Sequence, residues 1–177
     1  MPDAGSGSLR VLIWITEETW RAAVDAALRI GPPDSAVTLL HVTPDEPPEV
    51  AHAAYLGLFG RGPARDPRPR IAGISASSAA DLLDAAGQRL GRPCQRIMRA
   101  GRPEREVVAE AARADLVIMA RDGDRSRLGP KSLGKATRFA VDHAPCPVLL
   151  VWPEPAPAVE TIPDPPPPPP GGGRAPG

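Results

Sequence analysis

Apolar residues follow two alternating spacings along this chain. Short unbroken apolar runs, such as residues 11–15, have the length and composition of strands that are buried on both faces. Other segments place apolar residues three and four positions apart, which is typical of an amphipathic helix. The pattern predicts five strands, at residues 11–15, 36–42, 95–99, 115–120 and 147–152, and four helices, at residues 17–30, 78–90, 103–112 and 133–143.

The residues at the predicted helix ends support these assignments. Thr16 is expected to cap the first helix, and Glu17 and Glu18 suit the positive end of its dipole. Gly31 then stops that helix, and Pro103 suits the first turn of the third helix. The strand and helix boundaries therefore agree with the apolar spacing.

Alternation of strands with helices determines the predicted fold class. Strands joined through helices run parallel, and right-handed crossovers cover both faces of the sheet. We therefore expect a five-stranded, parallel, doubly wound sheet with helices on both faces, which is a three-layer α/β/α sandwich. Such sheets bind ligands beyond the carboxyl ends of the strands where the winding direction reverses, so the loops after strands one and four are the candidate site.

Proline content divides the 177 residues into one domain and its flanking segments. The chain has 25 prolines, and they cluster outside the predicted elements. We expect a disordered N-terminus over residues 1–9, a domain over residues 10–152 with a long irregular loop at 43–72, and a disordered Pro- and Gly-rich tail over 153–177. The tail is either a solvated segment or a ligand for a proline-recognising groove on a protein partner.

Charge and cysteine content exclude several classes of partner. Lys plus Arg and Asp plus Glu each number 21, so no global field attracts nucleic acid or a membrane surface. No stretch approaches the roughly 18 apolar residues of a membrane span. Cys94 and Cys146 cannot form a disulfide framework and are expected to be buried thiols in a reducing compartment. These features predict a cytoplasmic protein with no nucleic-acid or membrane partner.

The sequence offers no catalytic constellation. His41, His52 and His143 belong to separate elements, and neither a Gly-x-Ser-x-Gly turn nor a full Walker A motif occurs. Metal-ligand spacing of His and Cys is also absent. An enzyme is therefore the least favoured class, and no metal site is predicted.

The end of the chain resembles a known family. The phrase His-Ala-Pro-Cys-Pro-Val at residues 143–148 resembles the end of universal stress protein domains, and residues 39–42, 100–103 and 114–119 are similar at matching places. The likeness covers residues 10–152. It implies an architecture similar to adenine nucleotide α hydrolases and a homodimer through the last strand, which contains Pro147, Val148, Leu149, Leu150 and Val151.

The resemblance also implies a nucleotide site, from which this chain departs. The ATP-binding branch has an Asp for the base at the end of strand one, where this chain has Thr16. Losing the hydrogen bond to that carboxylate makes the free energy of nucleotide binding less favourable by about 1.5 to 3 kcal/mol, which is roughly ten- to a hundredfold in affinity. Trp14 lies on the same side of the strand, where it either fills the space for the base or is ordinary core.

The loop after strand four departs from the family motif as well. That motif is a Gly, two residues, a Gly, nine residues, and a Gly followed by Ser or Thr. Here Ala120 takes the first place, Gly123 and Gly134 are separated by ten residues, and Lys135 replaces the hydroxyl residue. Basic residues outnumber acidic ones by four in this stretch, because Asp122 and Asp124 stand against Arg121, Arg125, Arg127, Lys131, Lys135 and Arg138. Either an anion binds there in an altered way, or the loop is a solvated basic segment.

Two hypotheses follow. The first is a stress-response binding or regulatory module that acts through homodimerisation and protein contacts and requires no cofactor. The alternative is an ATP or AMP sensor, or a weak ATPase, whose cofactor-binding residues would be Thr16, Ala120, Arg121, Gly123, Gly134 and Lys135.

Overall fold

The computed structural model describes residues 7–44 and 68–163, with backbone only for residues 68–76. Five parallel strands form one sheet in the order β3-β2-β1-β4-β5. The strands are β1 (Arg10–Trp14), β2 (Ala36–Pro44), β3 (Cys94–Gly101), β4 (Leu116–Ala120) and β5 (Val148–Val151). The helices are α1 (Trp20–Ile30), α2 (Arg68–Leu90), α3 (Pro103–Ala111) and α4 (Lys135–His143). The predicted doubly wound parallel fold is confirmed.

The core has two layers because strand side chains alternate between the faces of the sheet. On one face, Ile13 and Leu39 of the central strands pack with α1 and α2. On the other face, Leu12 and Trp14 pack with α3 and α4. The central strand β1 is buried on both faces, which explains its unbroken apolar sequence.

The first helix begins later than the sequence predicted. Its N-cap is Thr19, which makes no side-chain capping hydrogen bond, and the helix proper starts at Trp20. The amide of Trp20 donates to the carbonyl of Thr16 at 3.1 Å, so a turn precedes the helix. The prediction that the side chain of Thr16 caps α1 is wrong, because its hydroxyl pairs with that of Thr19 at 2.6 Å.

Two elements extend into the segment predicted as an irregular loop at residues 43–72. Strand β2 continues to Pro44, since its edge neighbour β3 runs beside it with Pro44 opposite Gly101. Helix α2 begins at Arg68, ten residues before the predicted start. Pro69 is compatible with this start because a first-turn proline loses no intrahelical hydrogen bond. Residues 45–67 lie outside the described residues.

The flanking segments are described in part. The carbonyl of Leu9 accepts from the amide of Ala36 at 2.8 Å, so the chain contacts the sheet just before β1. Beyond β5, residues 153–163 follow a described path that includes a 3₁₀ turn, Val159–Thr161. Described structure therefore continues past the tail boundary predicted at residue 153. Residues 1–6 and 164–177, with the proline run at 165–170, lie outside the described residues.

Candidate functional site

The candidate site lies where the winding of the sheet reverses. In the order β3-β2-β1-β4-β5, the reversal falls between β1 and β4, and these two strands pair directly with Ile13 opposite Ile118. Their carboxyl ends therefore bring Thr16 and Ala120 to the same edge. The structure thus brings together the ends of the two strands that the sequence selected. Residues 121–134 follow β4 and are called the β4 loop.

The β4 loop is closed on itself. The amide of Gly123 donates to the carbonyl of Ser132 at 3.0 Å, and the amide of Asp124 donates to the carbonyl of Lys131 at 2.9 Å. A Cβ atom on Gly123 would overlap the carbonyl oxygen of Lys131 and lie 2.8 Å from backbone carbons of Ser132 and Leu133. Gly123 is therefore required for close approach of the two arms of the loop.

A carboxylate of the β4 loop occupies the beginning of α4. The amide of Gly134, the N-cap of that helix, donates to Oδ1 of Asp122 at 2.8 Å. A Cβ atom on Gly134 would lie only 2.7 Å from Oδ2 of Asp122. Helix N-termini attract anions because their amides are unpaired and their dipole end is positive. Here the carboxylate of Asp122 occupies one of these amides, and the contact was not predictable from the sequence because Asp122 lies 12 residues from Gly134.

Arg121 is held by contacts within the fold. Its guanidinium lies over the indole of Trp152, 4.6 Å from the ring centroid, and one terminal nitrogen donates to the hydroxyl of Ser132. Its backbone amide donates to the carbonyl of Val151 at 2.9 Å. Within the described residues, its buried Nε has no hydrogen-bond partner. Arg121 therefore joins the start of the β4 loop to the end of β5.

The remaining residues of the predicted motif have ordinary backbone environments. Ala120 is the buried last residue of β4, in extended conformation, so an alanine is accommodated there without left-handed backbone angles. Gly134 also has an ordinary φ of −64°. The positive φ in this loop, 135°, belongs to Gly129, where only glycine is comfortable. Lys135 is the exposed first residue of α4.

The β1 side of the site presents a hydroxyl at Thr16, where the family has a carboxylate. Trp14 is 6% exposed and packs in the core with residues of α3 and α4, so it lies beneath the site. Thr16 is half-buried, and its hydroxyl is engaged by Thr19. Nδ1 of His41 contacts the carbonyl oxygen of Ile15 at 2.9 Å. Neither Trp14 nor Thr16 offers a charged group to a ligand.

The charges of the β4 loop are partly paired. Hydrogen bonds from Ser126, helped by the charges of Arg127 and Lys131, lower the pKa of Asp124. Arg138 donates to the carbonyl of Pro130. The side chains of Lys131 and Lys135 are exposed. The local excess of positive charge therefore lies at the rim of the loop.

A cavity of about 440 Å³ lies at the other end of the sheet, between α3 and the first residues of β1, β2 and β3. Its arginines are engaged: Arg99 pairs with Glu110 at 2.6 Å, and Arg10 pairs with Asp115 at 2.7 Å. The hydrogen bonds from Arg10 lower the pKa of Asp115 to about 2. Because these guanidinium groups are already paired, we do not assign the ligand site to this cavity.

The described residues contain two free thiols, and neither a metal site nor a membrane-spanning helix is found among them. No group of three His, Cys, Asp or Glu side chains there could hold a metal ion. Cys94 and Cys146 are half-buried free thiols, and burial raises the pKa of Cys146. In the same part of the chain, every helix is too short or too polar to cross a bilayer.

Comparison with known proteins places this geometry in a family. The model of the universal stress protein family matches residues 10–151. Solved structures share the fold: the hypothetical protein MJ0577 (20% identity, 81% of this chain and 95% of that one, TM-score 0.60) and UspA from Lactobacillus plantarum (22%, 81% and 97%, 0.57). A universal stress protein in complex with cAMP is 16% identical over 84% of this chain and 100% of that one, with a TM-score of 0.54. No curated protein matches the sequence. The chain belongs to the universal stress protein family.

Proposed function

We propose that this chain is a stress-response binding module that acts through homodimerisation and protein contacts and requires no nucleotide. The observation that carries the proposal is the hydrogen bond between the carboxylate of Asp122 and the amide of Gly134. That amide is one of those that a ligand phosphate would use at the start of α4. Two half-buried thiols are consistent with a reducing compartment, so we also place the module in the cytoplasm.

The energetics favour a loop that works without phosphate. A phosphate that bonds to the amide of Gly134 would have to displace Asp122, and one that bonds to the neighbouring amides would meet its negative charge. Loss of one hydrogen bond to a charged acceptor costs about 1.5 to 3 kcal/mol, which is roughly ten- to a hundredfold in affinity. Thr16, which lacks a carboxylate for the base, adds a second loss of similar size. Together these losses put nucleotide affinity well below that of a site that has both groups.

The edge of the sheet supports the dimer. Strand β5 is the last strand in the order, and all four of its residues are half-buried in the single chain. An exposed apolar edge strand tends to be paired, since its free amide and carbonyl groups offer a template for another strand. A second copy that packs on β5 would cover Val148, Leu149, Leu150 and Val151.

A second candidate is an ATP- or AMP-binding stress sensor or weak ATPase. The similar structure in complex with cAMP favours it, as do the exposed ammonium groups of Lys131 and Lys135 beside the start of α4. In this reading Asp122 would leave Gly134 when nucleotide arrives.

Calorimetric titration of the full chain separates the two functions. We expect no heat of binding with Mg-ATP, AMP or cAMP up to millimolar concentration, together with a dimer by light scattering. Saturable binding at micromolar nucleotide would overturn the proposal and establish the sensor. A monomer at all concentrations would remove homodimerisation from it.

A further inference from the structure

The segment that follows β5 contacts the β4 loop. Residues 153–163 are called the strap. The hydroxyl oxygen of Thr161 accepts a hydrogen bond from the amide of Leu128 at 3.0 Å, and Glu154 pairs with Arg125 at 3.7 Å. Pro163 lines a cavity of about 260 Å³ whose other walls belong to the β4 loop. The strap thus contacts the loop at both of its ends.

The covered surface is basic at its rim and apolar between. It is called the strap face and contains Arg125, Arg127, Leu128 and Lys131. The strap has the complementary composition, because its 11 residues include four prolines and two glutamates and no lysine or arginine. Complementary charge at an interface selects the partner and speeds the encounter.

The strap is held weakly. The side chain of Glu154 is 68% exposed, so solvent screens its attraction to Arg125. Val159 and Ile162 are 69% and 55% exposed, so neither apolar side chain is buried against the domain. The 3₁₀ turn that bears Thr161 is closed by its own backbone hydrogen bonds. The strap is therefore fixed mainly by one part-buried hydrogen bond and one exposed ion pair, and a segment with so few contacts opens at low free-energy cost.

We propose that the strap face is a docking site for an extended, acidic, proline-containing segment of a partner protein, and that the strap occupies this site within the same chain until such a segment displaces it. The strap itself shows which chemistry the face accepts: a carboxylate at Arg125, a hydroxyl or carbonyl oxygen at the amide of Leu128, and a proline in the cavity. This inference goes beyond the proposed function, since it holds whether or not nucleotide binds.

The test uses the full chain and a fluorescent synthetic peptide of residues 153–163. Glu154→Lys with Thr161→Val removes the ion pair and the acceptor for Leu128, which opens the strap. Glu160→Lys is the matched control, because Glu160 is exposed in the same segment and makes no ion pair among the described residues. Fluorescence anisotropy reports binding of the peptide, and hydrogen exchange at the Leu128 amide reports opening.

The expected result is peptide binding at least about fivefold tighter by the opened variant than by the wild type or the Glu160→Lys control. Adding Arg125→Glu to the opened variant should abolish that gain. Faster exchange at Leu128 without peptide binding would overturn the docking site. Exchange at Leu128 that is unchanged in the opened variant would overturn the strap as its occupant. Neither outcome depends on nucleotide, so failure here is distinguishable from failure of the proposed function.

Discussion

Oδ1 of Asp122 lies 2.8 Å from the amide nitrogen of Gly134, so a carboxylate of the chain itself caps α4. Substitution of Asp122 by Ser shortens the side chain and removes the negative charge, which leaves the amide of Gly134 open to a ligand. We expect Asp122→Ser to give a saturable heat of binding with Mg-ATP below millimolar concentration, where the wild type gives none, which corresponds to a gain of at least about tenfold in affinity. Asp124→Ser is the control, because Asp124 bonds to Ser126 and not to the helix. If Asp122→Ser also gives no heat of binding over this range, the carboxylate is not what excludes the ligand.

Gly134 should be coupled energetically to the same carboxylate. A methyl group at Gly134 would lie 2.7 Å from Oδ2 of Asp122, so the carboxylate would have to move away and its hydrogen bond to the amide of Gly134 would be weakened, at a cost of about 1 kcal/mol. In the Asp122→Ser background the smaller side chain leaves room for that methyl group. We expect Gly134→Ala to lower the free energy of unfolding in the wild type and to have little effect in Asp122→Ser. Additive effects in this double-mutant cycle would contradict the contact.

The ion pair between Arg10 and Asp115 should appear in acid unfolding. The pKa of Asp115 falls from 3.8 to about 2 in the folded chain, chiefly through its side-chain hydrogen bond with Arg10. The stabilisation is therefore present above pH 3.8 and is lost as the pH falls through about 2. Asp115→Asn should have a lower Tm than the wild type at pH 7. Near pH 2 the Tm values of the variant and the wild type should converge. Asp81 is an exposed carboxylate without an ion pair among the described residues, so Asp81→Asn should have the Tm of the wild type at both pH values.

The two edges of the sheet should respond differently to charge. Leu150→Lys places a charge on β5, the edge proposed for the dimer, and we expect light scattering to shift from dimer to monomer. Met98→Lys is the matched control, because Met98 is 48% exposed on the opposite edge strand β3. Circular dichroism checks that both variants fold. A dimer retained by Leu150→Lys and lost by Met98→Lys would assign the interface to β3.

Elements that depend on apolar spacing could be predicted from the sequence. Contacts between residues that are distant in the sequence could not. Strand β1 was predictable because burial on both faces requires an unbroken apolar run. The cap at Gly134 was not, since Asp122 reaches it only after the β4 loop closes. The left-handed backbone at Gly129 was not predicted either, because Gly129 is not one of the glycines of the motif. The strap was hidden by its proline content, which resembles that of an unstructured tail.

Arg121 contacts residues beside both of the proposed interfaces. Its amide donates to the carbonyl of Val151, the last residue of the edge strand β5, and its guanidinium lies over Trp152, the residue just before the strap. A displacement of that strand end would reach the closed loop through one side chain. Association of two subunits through β5 would then change the binding of a partner to the strap face, and partner binding would change association. The fluorescence of Trp152 would report both events.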